Sequence, residues 1–198
     1  MTSKEIKSEK KLKKPLKIYK RPRKRVSQGD VFKDVDHIEY YIEEKGQIEL
    51  SKIIFPYVYV LTQDCDLAQD FTFRSQKQKT DDKILFSALV APIYNYEFVI
   101  EGTHLSELNL DMRIFKGNSS SAINDLKNNN NPRYHYLDFG KDSILPPSII
   151  DFKHYFSVNI MYLESIRKSN RVFKVKELYR EDVSQRFSSY LSRIGLPD

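Results

Sequence analysis

The sequence predicts an α+β fold: a small curled, mainly antiparallel β-sheet or SH3-like barrel, closed by a C-terminal helix. Short β-branched and aromatic runs recur between turn residues through most of the chain. One of them, Phe55 to Leu61, is nearly continuous and suits a strand buried on both faces. The helical stripe is near the end, where Tyr179, Val183, Phe187, Leu191 and Ile194 are spaced by 4, 4, 4 and 3. The 198 residues are enough for one buried core. No internal repeat or second domain boundary is visible, so residues 28–198 read as one globular domain behind a basic arm, residues 1–27.

Gly29-Asp30-Val31-Phe32 opens the folded part. Ile38 to Ile42 and Ile48 to Ile54 flank Lys45-Gly46 and predict a hairpin. Beyond Leu61, Thr62-Gln63-Asp64-Cys65-Asp66 is a polar cluster at a strand end, and the polar residues 69–83 read as an exposed loop. Ile84 to Ile93, and then Tyr96 to Ile100, read as further strands. Ser119-Ser120-Ser121 caps a helix over Ala122 to Lys127, which Asn128 to Asn131 and Pro132 end. Tyr134 to Phe139 and Ile149 to Val158 are two more strands. Arg180-Glu181-Asp182 opens the final helix, and Gly195 with Pro197 supplies its stop.

Charge divides the chain in two. Residues 1–25 hold 12 Lys or Arg against Glu5 and Glu9, a net of +10. The rest keeps 21 of the 33 bases and 25 of the 27 acids, a net of −4. An arm this charged, with few large apolar residues and with Pro15 and Pro22, stays extended and solvated. Its cations, Lys20, Arg21, Arg23, Lys24 and Arg25 among them, suit polyanion contact through counterion release. A nucleic acid, RNA ahead of DNA, or an acidic partner protein fits that charge. A solubilising tail is the plainer alternative.

Several classes are disfavoured. No run approaches the roughly 20 apolar residues of a membrane span, and the start lacks the apolar core of a secretory signal. The single cysteine, Cys65, cannot form an internal disulfide, which fits a reducing, cytoplasmic setting. The sequence has no P-loop, dinucleotide glycine fingerprint, His-Glu-x-x-His or Cys-x-x-Cys, so neither a cofactor nor a metal is expected.

Chemistry is sought first at Gln63, Asp64, Cys65 and Asp66, on a loop held by a rigid strand. Paired carboxylates shift one another's pKa, and a cysteine between them is a nucleophile only with positive neighbours. The alternative is that the two acids cap a turn and Cys65 packs as a small apolar residue. Arg133-Tyr134-His135 and Asp36-His37 offer acid–base pairs, and Tyr134 and Tyr136 share a strand face on which bases could stack. The arginines of the last helix either face solvent or close over the site after Leu61.

Gln28-Gly29-Asp30-Val31-Phe32, followed by Pro56-Tyr57-Val58-Tyr59-Val60-Leu61-Thr62, resembles the opening of the MazF/PemK toxin family. That resemblance implies an SH3-like barrel, metal-independent RNA cleavage, a homodimer and a role in a bacterial toxin or defence system. The family's arginine before the proline is replaced by Phe55, so Arg74 or Arg133 would have to substitute for it. Thr62 to Leu67 and Arg193 to Pro197 are also similar to segments of uncharacterised bacterial proteins. Two readings follow. One is a nucleic-acid- or partner-binding module. The other is an endoribonuclease in which Asp64 or His135 is the base and Arg74 or Arg133 stabilises phosphate charge.

Overall fold

The computed structural model describes residues 15–20, 24–76, 80–116, 120–140 and 143–193. In chain order the elements are β1 (Ile18–Tyr19), β2 (Asp30–Glu44), β3 (Gln47–Val60), α1 (Asp64–Arg74), β4 (Ser87–Asn95), α2 (Tyr96–Glu101), α3 (Ser120–Lys127), β5 (Tyr134–Leu137), β6 (Ser148–Asp151), β7 (Phe156–Asn159), α4 (Ile160–Asn170), β8 (Arg171–Val175) and α5 (Glu177–Leu191). The strands form one curled sheet in the order β1-β8-β2-β3-β4-β6-β5, with β7 also on β4. Every pairing is antiparallel. This is the α+β architecture the sequence predicts. No helix among the described residues is long and apolar enough to cross a membrane.

The hairpin turns at Lys45-Gly46, with φ of 53° and 77°. Two successive positive φ values make the primed turn that matches strand twist. Ile48 to Ile54 and Phe55 to Leu61, separate runs in the sequence, belong to one strand as far as Val60. Pro56 is tolerated inside it because the ladder is interrupted opposite: Asp34 sits at φ 52° and forms no ladder pair. The face alternation changes phase at this point. Phe32 and Val58 pack in the same cluster as Val35 and Phe55, although strict alternation would put those pairs on opposite faces.

Two core clusters lie on the two sides of the sheet. One gathers Val31, Tyr59, Ile93, Phe152 and Phe173 under Val183 and Phe187 of α5. The other gathers Phe32, Val58, Val60 and Val90 with Leu67 of α1 and Leu163 of α4. A third, around Tyr96, Val99, Leu126 and Ile149, seats α2 and α3. On α5, Val183 and Phe187 are buried as the stripe predicts, but Leu191 is half exposed. Ile194, Gly195 and Pro197, like Ser119 of the predicted α3 cap, lie outside the described residues.

Four expectations are corrected. The loop expected over 69–83 is helical up to Arg74, because α1 buries Leu67 and Asp70 rather than a wide apolar stripe. Tyr96 to Ile100 is a helix, begun where the Asn95 side chain accepts the Glu97 N–H and ended at Gly102 (φ 75°). Ile149 to Val158 is two strands around a 3-10 turn, Phe152–His154, capped by Asp151. Part of the expected free arm is structured: β1 pairs with β8, Leu16 N–H donates to Asp138 O (2.7 Å), and Val26 and Ser27 are buried.

Gly102 gives a direct check on this packing. A Cβ there would lie 2.6 Å from the Met112 carbonyl oxygen, in a left-handed conformation. Gly102→Ala is expected to cost at least about 1–2 kcal/mol in urea unfolding.

Candidate functional site

Val60 ends β3 beside β4. There the Leu61 and Thr62 N–H groups donate to Leu89 O (2.8 and 3.3 Å), and Leu89 N–H donates back to Thr62 Oγ1 (2.6 Å). This clamp fixes the start of α1, with Gln63 exposed at the cap position and Asp64 and Asp66 in the first turn. Acids suit that place because the free N–H groups and the helix dipole favour negative charge. The predicted turn after the strand is therefore a helix start.

Asp64 is the centre of an ionic cluster. Arg25 donates to both its oxygens (3.1 Å each), and Gln28 N–H donates to Oδ1 (3.2 Å). Lys174 Nζ stands 3.6 Å from Oδ1, and Arg180 Nη1 3.6 Å from Oδ2. Lys174 is fully buried, and Arg25 and Arg180 are mostly so. Burial pushes the Asp64 carboxyl upward, but the Arg25 hydrogen bonds and the charges of Lys174, Arg25 and Arg180 outweigh it and hold it below the ordinary carboxylate range. An anion held this way is a firm acceptor and a poor general base.

The Gln28-Gly29-Asp30 segment completes the cluster. Gln28 Nε2 donates to Leu61 O (3.2 Å) and to Ser184 Oγ of α5 (3.3 Å). Gly29, at φ 80°, bonds both neighbouring strands: its N–H donates to Val60 O (3.0 Å), and its carbonyl accepts from Val175 N–H (2.8 Å). Buried Asp30 accepts from Arg171 Nε (2.7 Å) and Ser27 N–H (2.8 Å). The two motifs singled out in the sequence thus meet in space, and Lys174, Arg171 and Arg180 join them from β8 and α5. No sequence spacing flagged Lys174. Arg180, at the predicted start of the last helix, was visible as a candidate to close over this site.

The proposed catalytic set is distributed over separate partners. Arg74 is ten residues along α1 from Asp64, roughly 15 Å by helical rise. It is held by Asp70 (2.9 Å), which also accepts Leu85 N–H. Arg133 forms a two-pronged pair with buried Asp151 (2.8 and 2.6 Å), and His154 Nδ1 lies 3.0 Å from the same carboxylate. His135 is buried, its Nε2 4.0 Å from Asp182. Cys65 and Asp66 are exposed, and the Cys65 thiol points toward Gln63 Oε1 (3.5 Å) and Asp66 Oδ1 (3.6 Å), a setting of acceptor oxygens. Asp36 pairs with Lys52, and His37 lies against Phe156. Tyr134 is buried and Tyr136 packs edge-on to Tyr96. Arg186 donates to the Asn131 and Tyr134 carbonyls, and Arg193 stacks on Tyr190. Lys20 and Lys24 are exposed, whereas Arg21 and Arg23 lie outside the described residues.

A mainly apolar cavity of about 530 Å³ opens elsewhere, between the base of the β2–β3 hairpin and residues 103–108. Phe55, Tyr57, Ile93, Phe98 and Leu105 line it, and none of the predicted site residues does.

Fold and site together define an α+β protein whose N-terminal segment is locked to a carboxylate surrounded by three cations. Compared with known proteins, the chain matches no family model, no curated protein and no solved structure.

Removing the Asp64 charge takes a shared carboxylate away from Arg25, buried Lys174 and Arg180 at once, so Asp64→Asn is expected to cost about 2–3 kcal/mol in urea unfolding. Asp66→Asn, at an exposed position, stays within about 0.5 kcal/mol. Acid should unfold the protein in a defined window. Burial raises the Asp151 carboxyl, but hydrogen bonds from Arg133 and His154 bring it down to about 2, below its ordinary 3.8. Its stabilisation is complete above about pH 4 and is lost as pH falls toward about 2. The urea midpoint should drop across that window, with a shallower slope in Asp151→Asn.

Proposed function

We propose that this protein is a nucleic-acid-binding module, with RNA as its ligand, that grips phosphates through its cationic leader and the cations where that leader joins the body. One observation carries the reading: the end of the leader is fastened to the body instead of hanging from it. β1 lies along β8, Lys176 N–H donates to Lys17 O (3.0 Å), and Arg25 grips Asp64. Exposed Lys17 and Lys20 therefore flank β1 next to Lys176, whose ammonium lies 4.9 Å over the Tyr19 ring, and exposed Lys24 precedes Arg25, which meets Asp64 together with Arg180.

A held row of cations releases counterions on phosphate without first having to be ordered, which supports affinity but little sequence preference. The state of Asp64 favours binding over cleavage, since its oxygens are engaged by Arg25, Gln28, Lys174 and Arg180. A place in a bacterial toxin or defence system rests on the MazF/PemK resemblance alone.

The test is fluorescence anisotropy with a single-stranded RNA across a salt series. Removing residues 1–14 deletes six lysines and should flatten the slope of log K against log salt by up to about 4. Changing Lys17, Lys20 and Lys24 to Ala should flatten it by about 2. No RNA binding by the full chain, or RNA cleavage products that disappear in Asp64→Ala, would overturn the binding reading.

A further inference from the structure

Beyond Asp34 and Pro56, β2 and β3 run on as a two-stranded ribbon. β8 pairs with β2 only at Asp30–Phe32, and β4 pairs with β3 only at Val58–Val60. Among the described residues no third strand accompanies the outer ribbon, and a lone hairpin in water is marginal.

Its side chains are sorted by face. On β3, Ile48, Leu50, Lys52 and Ile54 share one face, opposite Glu43, Tyr41, Ile38 and Asp36 of β2. Five of these are large apolar residues open to solvent: Tyr41 and Ile48 are 72% exposed, Ile38 56%, Ile54 53% and Leu50 51%. The charges on this face nearly cancel, because Lys52 and Asp36 pair at 3.1 Å and only Glu43 remains. The other face differs. It carries Glu44 and Glu49 beside only two exposed apolar residues, Tyr40 (51%) and Ile42 (44%), with Glu39 turned to Ser51 (2.8 Å), and it runs into the core at Val35 and Phe55.

A contiguous apolar face of this kind marks an interface. Its five apolar side chains expose on the order of 600 Å², close to the roughly 800 Å² per partner of a standard interface. The charge pattern identifies the occupant. The cationic leader would meet one free carboxylate here, and within residues 1–14 it offers only Met1, Ile6 and Leu12 as apolar groups, spread among six lysines. A second ribbon offers a matching apolar stripe, on which Lys52 neutralises Asp36, and keeps Glu44 and Glu49 on the outer side.

We infer that two copies of this chain pair through this face, ribbon on ribbon, in a two-fold arrangement that buries Tyr41, Ile48 and Leu50 of each. The pairing uses none of the leader's cations, so it stands or falls separately from RNA binding.

Sedimentation velocity on the full chain at tens of micromolar, in salt high enough to screen polyanion bridging, should give the mass of a dimer. Ile48→Lys with Leu50→Lys should weaken association by at least about a hundredfold. Thermal unfolding of that variant as a monomer confirms that the fold persists. Ile38→Lys, on the same face of the neighbouring strand, repeats the test in case the double variant fails to fold. Ile42→Lys, on the opposite face, and removal of residues 1–14 should both leave the dimer intact. A monomeric full chain overturns the inference. So does a dimer that survives the same-face variants, or one that is lost with Ile42→Lys or with the leader.

Discussion

Asp64 is the contact on which the rest of the molecule depends. Arg25 arrives from the N-terminal segment, Lys174 from β8 and Arg180 from α5, and each needs a counter-ion because each is withdrawn from water. A buried ammonium is tolerated only beside an opposite charge. The carboxylate lies on the first residue of α1, where the helix N-terminus already favours negative charge. Elements distant in sequence are thereby tied to one atom pair, at the end of the strand that runs through the centre of the sheet.

The same constraint bears on chemistry. An Asp surrounded by cations and hydrogen-bond donors holds charge well and gives it up poorly. Arg74 and Arg133, the arginines best placed by sequence to face a phosphate, each neutralise a buried aspartate instead. The described lysines of the leader, Lys17, Lys20 and Lys24, stay open to solvent, and with both arginines engaged the functional reading moves from cleavage toward binding.

A second feature organises the outside of the molecule. Asp34 and Pro56 break the ladder between β2 and β3 and shift the alternation of faces. On the body side of the break both faces are covered, with Val31 and Tyr59 on one and Phe32 and Val58 on the other. On the far side the hairpin leaves the body, and one of its faces remains apolar and open. One strand pair therefore serves as central sheet at one end and as a projecting ribbon at the other.

Local pattern was enough to read the class of fold, the hairpin turn at Lys45-Gly46, the strand through Tyr57 as far as Val60 and the buried part of the last helix. These follow from backbone preference and period, which act over a few residues. The sequence also pointed to Asp64, because a polar cluster closes an apolar run there, and to Gln28-Gly29-Asp30 through its resemblance. It did not show that these two segments touch, nor that Lys174 lies between them, since a long-range ion pair leaves no periodic trace. α1 was hidden because its buried face includes Asp70, whose partners Arg74 and Leu85 make a polar residue suitable for the interior. Whether an apolar stripe faces the core or water was likewise beyond the sequence: Ile48 and Leu50 alternate as a buried strand does, and only the departure of the ribbon from the body leaves them exposed.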